Sequence, residues 1–198
     1  FPKIIFSNSL GSDLRLWDSQ VETFKDQYCI IRYDTRGHGH SSKFEGPFSL
    51  DILENDVINI LDKLNIEKAH FVGLSIGGMT SLGLALKHQN RFNKIVCCAA
   101  RADMPAPMKE NWDERISIVK KNGTIGVVNS SLERWYSDEF RNNSNNMNKI
   151  NLATEMIKNT SIEGYIGCCE AIKNLDYLKE LSTINRDILY ISGENDIG

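Results

Sequence analysis

The sequence predicts an α/β fold, a mainly parallel sheet with helices on both faces. Three observations carry this. Strand-like and helix-like stretches alternate through the first hundred residues. The strand-like stretches are nearly all apolar, as strands covered on both sides must be. One glycine-flanked serine stands between a strand and a helix.

Residues 2–6 form an apolar run that ends at Ser7-Asn8-Ser9-Leu10-Gly11, so a buried strand should run into a polar loop. Residues 18–25 suit a short helix. Residues 28–33 (Tyr-Cys-Ile-Ile-Arg-Tyr) read as a second strand, stopped by the turn-rich Asp34-Thr35-Arg36-Gly37-His38-Gly39. Ser49 opens a helix in which Leu50, Leu53, Val57, Ile60, Leu61 and Leu64 recur at helical spacing. A third strand at 69–73 breaks at Leu74-Ser75-Ile76-Gly77-Gly78, and a helix is expected over 79–87. Residues 94–100 make a fourth strand.

The texture changes near Met104, where Pro105 and Pro107 interrupt the chain. Residues 104–160 show helical patterning without a strand and are expected to form a lid over the sheet, with the Asn-rich run 141–148 as its exposed loop. That divides the chain into a first core part (1–103), the lid (104–160) and a second core part (161–198). A helix over 168–178 should lead to a last strand at 188–192, ending in Gly193-Glu194-Asn195-Asp196.

Composition excludes several classes. Of 198 residues, 41% are hydrophobic and 25% charged, ordinary for a folded globular chain and unlike a disordered one. A formal net charge of −3 argues against nucleic acid as a partner, because that binding relies on Lys and Arg neutralising phosphates. No run approaches the ~18 apolar residues of a membrane helix, and no leader pattern opens the chain, so no membrane partner is expected. The five cysteines form no C-x-x-C or disulfide framework, which points to a reducing compartment, the cytoplasm.

Gly73-Leu74-Ser75-Ile76-Gly77 matches G-x-S-x-G in the strand–turn–helix setting of a nucleophile elbow. Small residues two positions either side of the serine let strand and helix approach. The turn lifts the hydroxyl out of the sheet beside a helix N-terminus, which favours a developing anion. The alternative is a glycine-rich helix start with Ser75 as its N-cap. In the catalytic reading the Ile76 amide is one oxyanion donor, and the loop after the first strand supplies the other, the Leu10 amide.

Three segments together resemble the α/β-hydrolase superfamily: Ser-Asn-Ser-Leu-Gly at 7–11, Arg-Tyr-Asp-Thr-Arg-Gly-His-Gly at 32–39 and Gly-Leu-Ser-Ile-Gly-Gly at 73–78. Within it the chain is most similar to 3-oxoadipate enol-lactonases. Asn-Ser in the first loop, Trp112 with Arg115, Arg134-Trp135 and the stretch from Glu163-Gly164-Tyr165 to Ile172 carry that likeness. Arg186-Asp187 departs from it, since relatives often have a proline there.

The resemblance implies a serine hydrolase that opens a carboxylated lactone, 3-oxoadipate enol-lactone, to 3-oxoadipate in aromatic catabolism. The alternatives are a carboxylesterase or perhydrolase on another small acyl compound, or a non-catalytic ligand receptor on the same fold. The family's triad runs Ser, acid, His. Asp196 takes the acid's place, with Asp103 as fallback. No histidine follows Asp196; His38, His40, His70 and His88 are expected to be structural. By the same likeness about two dozen N-terminal and about sixty C-terminal residues would be missing, the base among them. The 198 residues alone are therefore expected to be nearly inactive. The lid would recognise substrate through Arg101, Arg115 or Arg134, with Trp112 and Trp135 as walls. No cofactor or metal is implied.

Overall fold

The computed structural model describes residues 1–196. Its strands are β1 (Lys3–Ser7), β2 (Cys29–Arg32), β3 (Ala69–Leu74), β4 (Phe92–Cys98) and β5 (Ile188–Ile191). They form one sheet in the order β2-β1-β3-β4-β5, parallel at every pairing. Alternation along β1 explains why both faces must be covered. Ile4 and Phe6 pack with Trp17 on one side, while Ile5 packs with Val57, Leu61 and Phe71 on the other.

The helices are α1 (Asp18–Phe24), α2 (Leu50–Lys63), α3 (Ile76–Lys87), α4 (Ala106–Asn122), α5 (Val128–Trp135), α6 (Asp138–Asn142), α7 (Met147–Asn159) and α8 (Ile162–Lys173). α2 starts where Ser49 Oγ accepts the Ile52 amide at 3.3 Å. It buries Leu50, Leu53, Val57 and Leu61 on one face. Each such side chain contributes about 1.5–3 kcal/mol through loss of hydrated apolar surface. Glu54 is buried on the same face. Its carboxylate accepts from the Tyr177 hydroxyl at 2.5 Å and pairs with Lys87 at 3.2 Å. Those partners offset the cost of removing a carboxylate from water.

Several boundaries differ from the sequence expectation. α3 begins at Ile76, not at 79, because Ser75 C=O already accepts the Met79 amide at 2.9 Å and closes the first turn. β4 ends at Cys98, since Ala99 turns to φ 44°. The return helix spans 162–173 instead of 168–178: Ser161 Oγ caps the Gly164 amide at 3.0 Å, and residues 178–183 form a separate 3-10 turn. The Asn-rich run is largely exposed, but it is not all loop. α6 reaches Asn142, a 3-10 turn covers Ser144–Asn146 and α7 starts at Met147.

Residues 106–159 hold only helices and short 3-10 turns. Their apolar faces join the core directly. Ile116, Val119, Leu132 and Ile157 belong to the same buried cluster as Leu10, Met79, Leu82 and Tyr165.

The order 2-1-3-4-5 fixes where a site can form. The chain leaves β1 towards β2 on one side and reaches β3 on the other. The crevice at the carboxyl ends of β1 and β3 is the switch point where ligands bind in such sheets. Ser7 is in register with Gly73 there, so the loop after β1 meets the turn after β3.

Candidate active site

Ser75 has φ 57° and ψ −115°, a backbone conformation that L-residues rarely adopt. Such a residue stores about 1–3 kcal/mol of strain and persists only where its surroundings hold it. They do. The Ser75 amide donates to Cys98 C=O at 2.9 Å, tying the elbow to the end of β4. A Cβ on Gly73 would stand 2.0 Å from Gly77 C=O, and one on Gly77 would stand 2.5 Å from Ser7 C=O. Both contacts are with backbone, so the turn closes only with glycine at each place. Ser75 does not cap the helix with its side chain. Ser75 is partly exposed while Ile76, Gly77 and Gly78 are buried. The Ile76 amide, in the first helical turn, has no carbonyl behind it to accept its proton.

The loop after β1 is pinned residue by residue. Asn8 donates to Tyr33 C=O at 2.7 Å and accepts from Trp17 Nε1 at 2.9 Å. The Gly11 amide donates to His38 Nε2 at 3.0 Å. The Ser12 amide and hydroxyl both donate to Ser9 C=O, and the Leu14 amide donates to Asp34 at 2.8 Å. The Leu10 amide has no hydrogen-bond partner among the described residues.

His38 is buried, with Nδ1 3.1 Å from Arg36 C=O. An imidazole that accepts at Nε2 and faces a carbonyl at Nδ1 is neutral with its proton on Nδ1. Burial lowers its pKa, against the backbone bond to Arg36 and the weaker pull of Asp34 and Asp13. His40 is exposed, His70 lies in β3 edge-on to Tyr28 at 5.9 Å, and His88 follows α3. The His38 loop also grips α8. The Ser161 amide donates to Gly37 C=O at 2.9 Å, and a Cβ on Gly37 would lie 2.3 Å from Gly164 Cα.

The structure separates the three arginines. Arg101 donates to Asp103 C=O at 2.6 Å and lies 3.6 Å from the Asp103 carboxylate, so these two residues engage each other. Arg115 donates from Nε to the Tyr165 hydroxyl at 2.6 Å and from its other end to Ser131. Arg134 is half-buried, with its guanidinium 5.6 Å from the Trp112 ring centroid. No hydrogen bond or salt bridge among the described residues holds it. Burial lowers its pKa, and the like charge of Arg115 pushes the same way; Tyr165, Cys169 and Asp196 act in opposition. The Trp135 ring edge lies 3.9 Å from the place a Cβ on Gly11 would occupy, with Tyr165 at 3.2 Å. Trp135 and Tyr165 therefore wall the loop that carries Leu10. Asp196 follows β5, whose Ile191 C=O accepts the Ala99 amide at 2.8 Å.

Tyr165 and His38 were not legible as site elements from the residues alone. Each acts through a contact across 27 or more positions of chain, which no local pattern marks. Among the described residues no three His, Cys, Asp or Glu side chains converge as a metal site would require. Among the described residues no helix is long and apolar enough to cross a membrane.

A strained serine between strand and helix, at the switch point of a parallel sheet, defines an α/β hydrolase. The chain belongs to that family: the alpha/beta hydrolase fold model matches residues 2–197. Its relatives are enzymes. It is 38% identical over 195 residues to 3-oxoadipate enol-lactonase 1 of Acinetobacter baylyi, covering 98% of this chain and 71% of the relative. To 3-oxoadipate enol-lactonase 2 of the same organism it is 36% identical, with 98% and 72% covered. A hydrolase from Pseudomonas aeruginosa superposes with a TM-score of 0.91 at 32% identity, over 97% of this chain and 71% of that one. The enol-lactonase from Burkholderia xenovorans gives 0.87 at 30%, over 98% and 83%.

Proposed function

We propose that this chain belongs to a serine hydrolase that opens a small lactone carrying a carboxylate, of the 3-oxoadipate enol-lactone kind. The observation that carries the chemistry is the φ of +57° at Ser75, held by the Cys98 carbonyl and by the close backbone approaches at Gly73 and Gly77. The enol-lactonase relatives at 36–38% identity support the substrate class.

In this reading the Ser75 hydroxyl attacks the ring carbonyl. Its proton passes to the histidine that the family's chain order places after the acid. Asp196 holds that imidazole's tautomer and stabilises the imidazolium. The carbonyl oxygen becomes an oxyanion held by the Leu10 and Ile76 amides. Ring opening leaves an acyl-enzyme on Ser75, and the leaving enolate takes the proton. Water, activated by the same base, then releases the open-chain keto-diacid. Residues 104–160 act as the lid. Arg134, which no salt bridge holds among the described residues, receives the substrate carboxylate, while Arg115 braces Tyr165 and Ser131. Trp112 and Trp135 are the pocket walls. Arg101, held at Asp103, stands apart from this role, and Asp103 is accordingly not the acid.

The test is Ser75→Ala in the full-length enzyme carrying this sequence. Turnover of the enol-lactone is expected to fall by about 10⁶, as when a protease loses its triad serine. A serine-directed phosphonate should label Ser75. Undiminished turnover in the variant would end the hydrolase reading.

A further inference from the structure

We propose that His38 is a positioning residue for the oxyanion hole, acting as a neutral hydrogen-bond acceptor that fixes the Gly11 amide and so aims the Leu10 amide beside it. This rests on the reading of Leu10 as an oxyanion donor.

The geometry leaves His38 one role. Its Nε2 is spent on the Gly11 amide at 3.0 Å and its Nδ1 faces Arg36 C=O at 3.1 Å. It has no free nitrogen with which to take a proton from Ser75. The residue it holds is the immediate neighbour of Leu10, and the peptide unit between them carries Leu10 C=O and the Gly11 amide. Fixing one peptide plane limits rotation of the next, because each residue contributes only two soft dihedrals. Other bonds anchor the loop at Asn8, Ser9, Ser12 and Leu14: the Ser12 hydroxyl holds Ser9 C=O from within the loop, and His38, from outside it, holds the amide next to Leu10.

The acceptor is itself rigidly mounted. Its loop turns back on itself through the Gly37 amide to Ser42 C=O and the His38 amide to Thr35 C=O, at 3.0 and 2.9 Å. Asp34 accepts from the His40 and Leu14 amides at 2.9 and 2.8 Å, so one carboxylate ties the His38 loop to the Leu10 loop. An imidazole is suited to this place. It accepts at one nitrogen and donates at the other without carrying a charge into a buried position. An oxyanion donor must stand at the place the oxygen will reach, and an error near 1 Å costs about 10²-fold in rate.

The experiment uses full-length enzyme and three variants, His38→Gln, His38→Asn and His38→Phe. Gln can place an oxygen near the Nε2 position; Asn carries its oxygen too close to the backbone, and Phe has no acceptor. The expected result is a kcat within about 5-fold of the parent for Gln, and a loss of about 10- to 100-fold for Asn and Phe, with KM changed less than about 3-fold. Affinity for a boronic acid that mimics the tetrahedral intermediate should fall in step with kcat, while affinity for the product diacid holds. In ¹⁵N spectra of the parent, His38 should show a protonated Nδ1 and a bare Nε2. The proposal is overturned if Gln and Asn lose equally, if boronate affinity is unmoved, or if the tautomer is reversed. Should Phe fail to fold, the Gln and Asn pair decides. A loss near 10⁶ in all three variants would instead make His38 the base, and a dead Ser75→Ala beside fully active His38 variants would spare the hydrolase reading and remove only this one.

Discussion

Under the proposed function, replacing Arg134 by Met is expected to separate substrate recognition from catalysis. The guanidinium is half-buried against Trp112 and is held by no hydrogen bond or salt bridge among the described residues, so an incoming carboxylate meets a cation that has already lost part of its water. At about 4 Å and an effective dielectric near 20 the attraction is about 4 kcal/mol. Stripping water from the carboxylate returns about a third to a half of that, leaving about 2–3 kcal/mol, the range of hydrogen bonds to charged groups. Since 1.36 kcal/mol is tenfold in rate, kcat/KM on the enol-lactone should fall by about 30- to 150-fold. A neutral ester such as p-nitrophenyl acetate has nothing to place at Arg134, and its kcat/KM should change by less than about 3-fold. Met keeps the stem packed on Trp112 and removes the repulsion with Arg115, so the melting temperature should hold or rise. The assay is steady-state kinetics on both substrates in full-length enzyme. Equal losses on the charged and neutral substrates would refute the carboxylate assignment and make Arg134 a structural cation.

Two further expectations concern stability. Gly77→Ala sets a Cβ 2.5 Å from Ser7 C=O, while Gly193→Ala meets nothing nearer than 3.7 Å. The first should cost about 3 kcal/mol, lowering the melting temperature by about 6–12 °C, and the second should be within about 0.5 kcal/mol of the parent by thermal melting. His38 titrates below its ordinary 6.5 in the folded chain because burial opposes its charge, so on acidification the unfolded chain takes up that proton first. Its contribution is complete above about pH 6.5 and is lost as the pH falls from there. His38→Gln should flatten the decline of urea midpoints between pH 7.5 and 5, a window in which the depressed carboxyl of Asp13 does not titrate.

Much of this was readable from residue order. Apolar runs placed all five strands to within two residues, and the glycines around Ser75 announced the elbow because a strand-to-helix turn that tight admits nothing larger. The start of α8 was not readable, since Ser161 looks like one more polar residue after α7 until its hydroxyl is seen on the Gly164 amide. Nor could sequence rank Arg115 against Arg134. Both sit near tryptophans in helices of similar charge, and what distinguishes them is that the Tyr165 hydroxyl and Ser131 reach only one.

The contact of Gly37 with Gly164 limits how the junction between the His38 loop and α8 can change. Each residue is where the other's Cβ would go, and in both cases the nearest obstructing atom is the other's Cα. Enlarging either one cannot be compensated by trimming the other, because neither has anything left to trim. The two positions thus behave as a single frozen character, and variation at the first closes off variation at the second. Side-chain change is open to the exposed faces of α4, α5 and α7, while the junction of the His38 loop with α8 is closed to it from both sides.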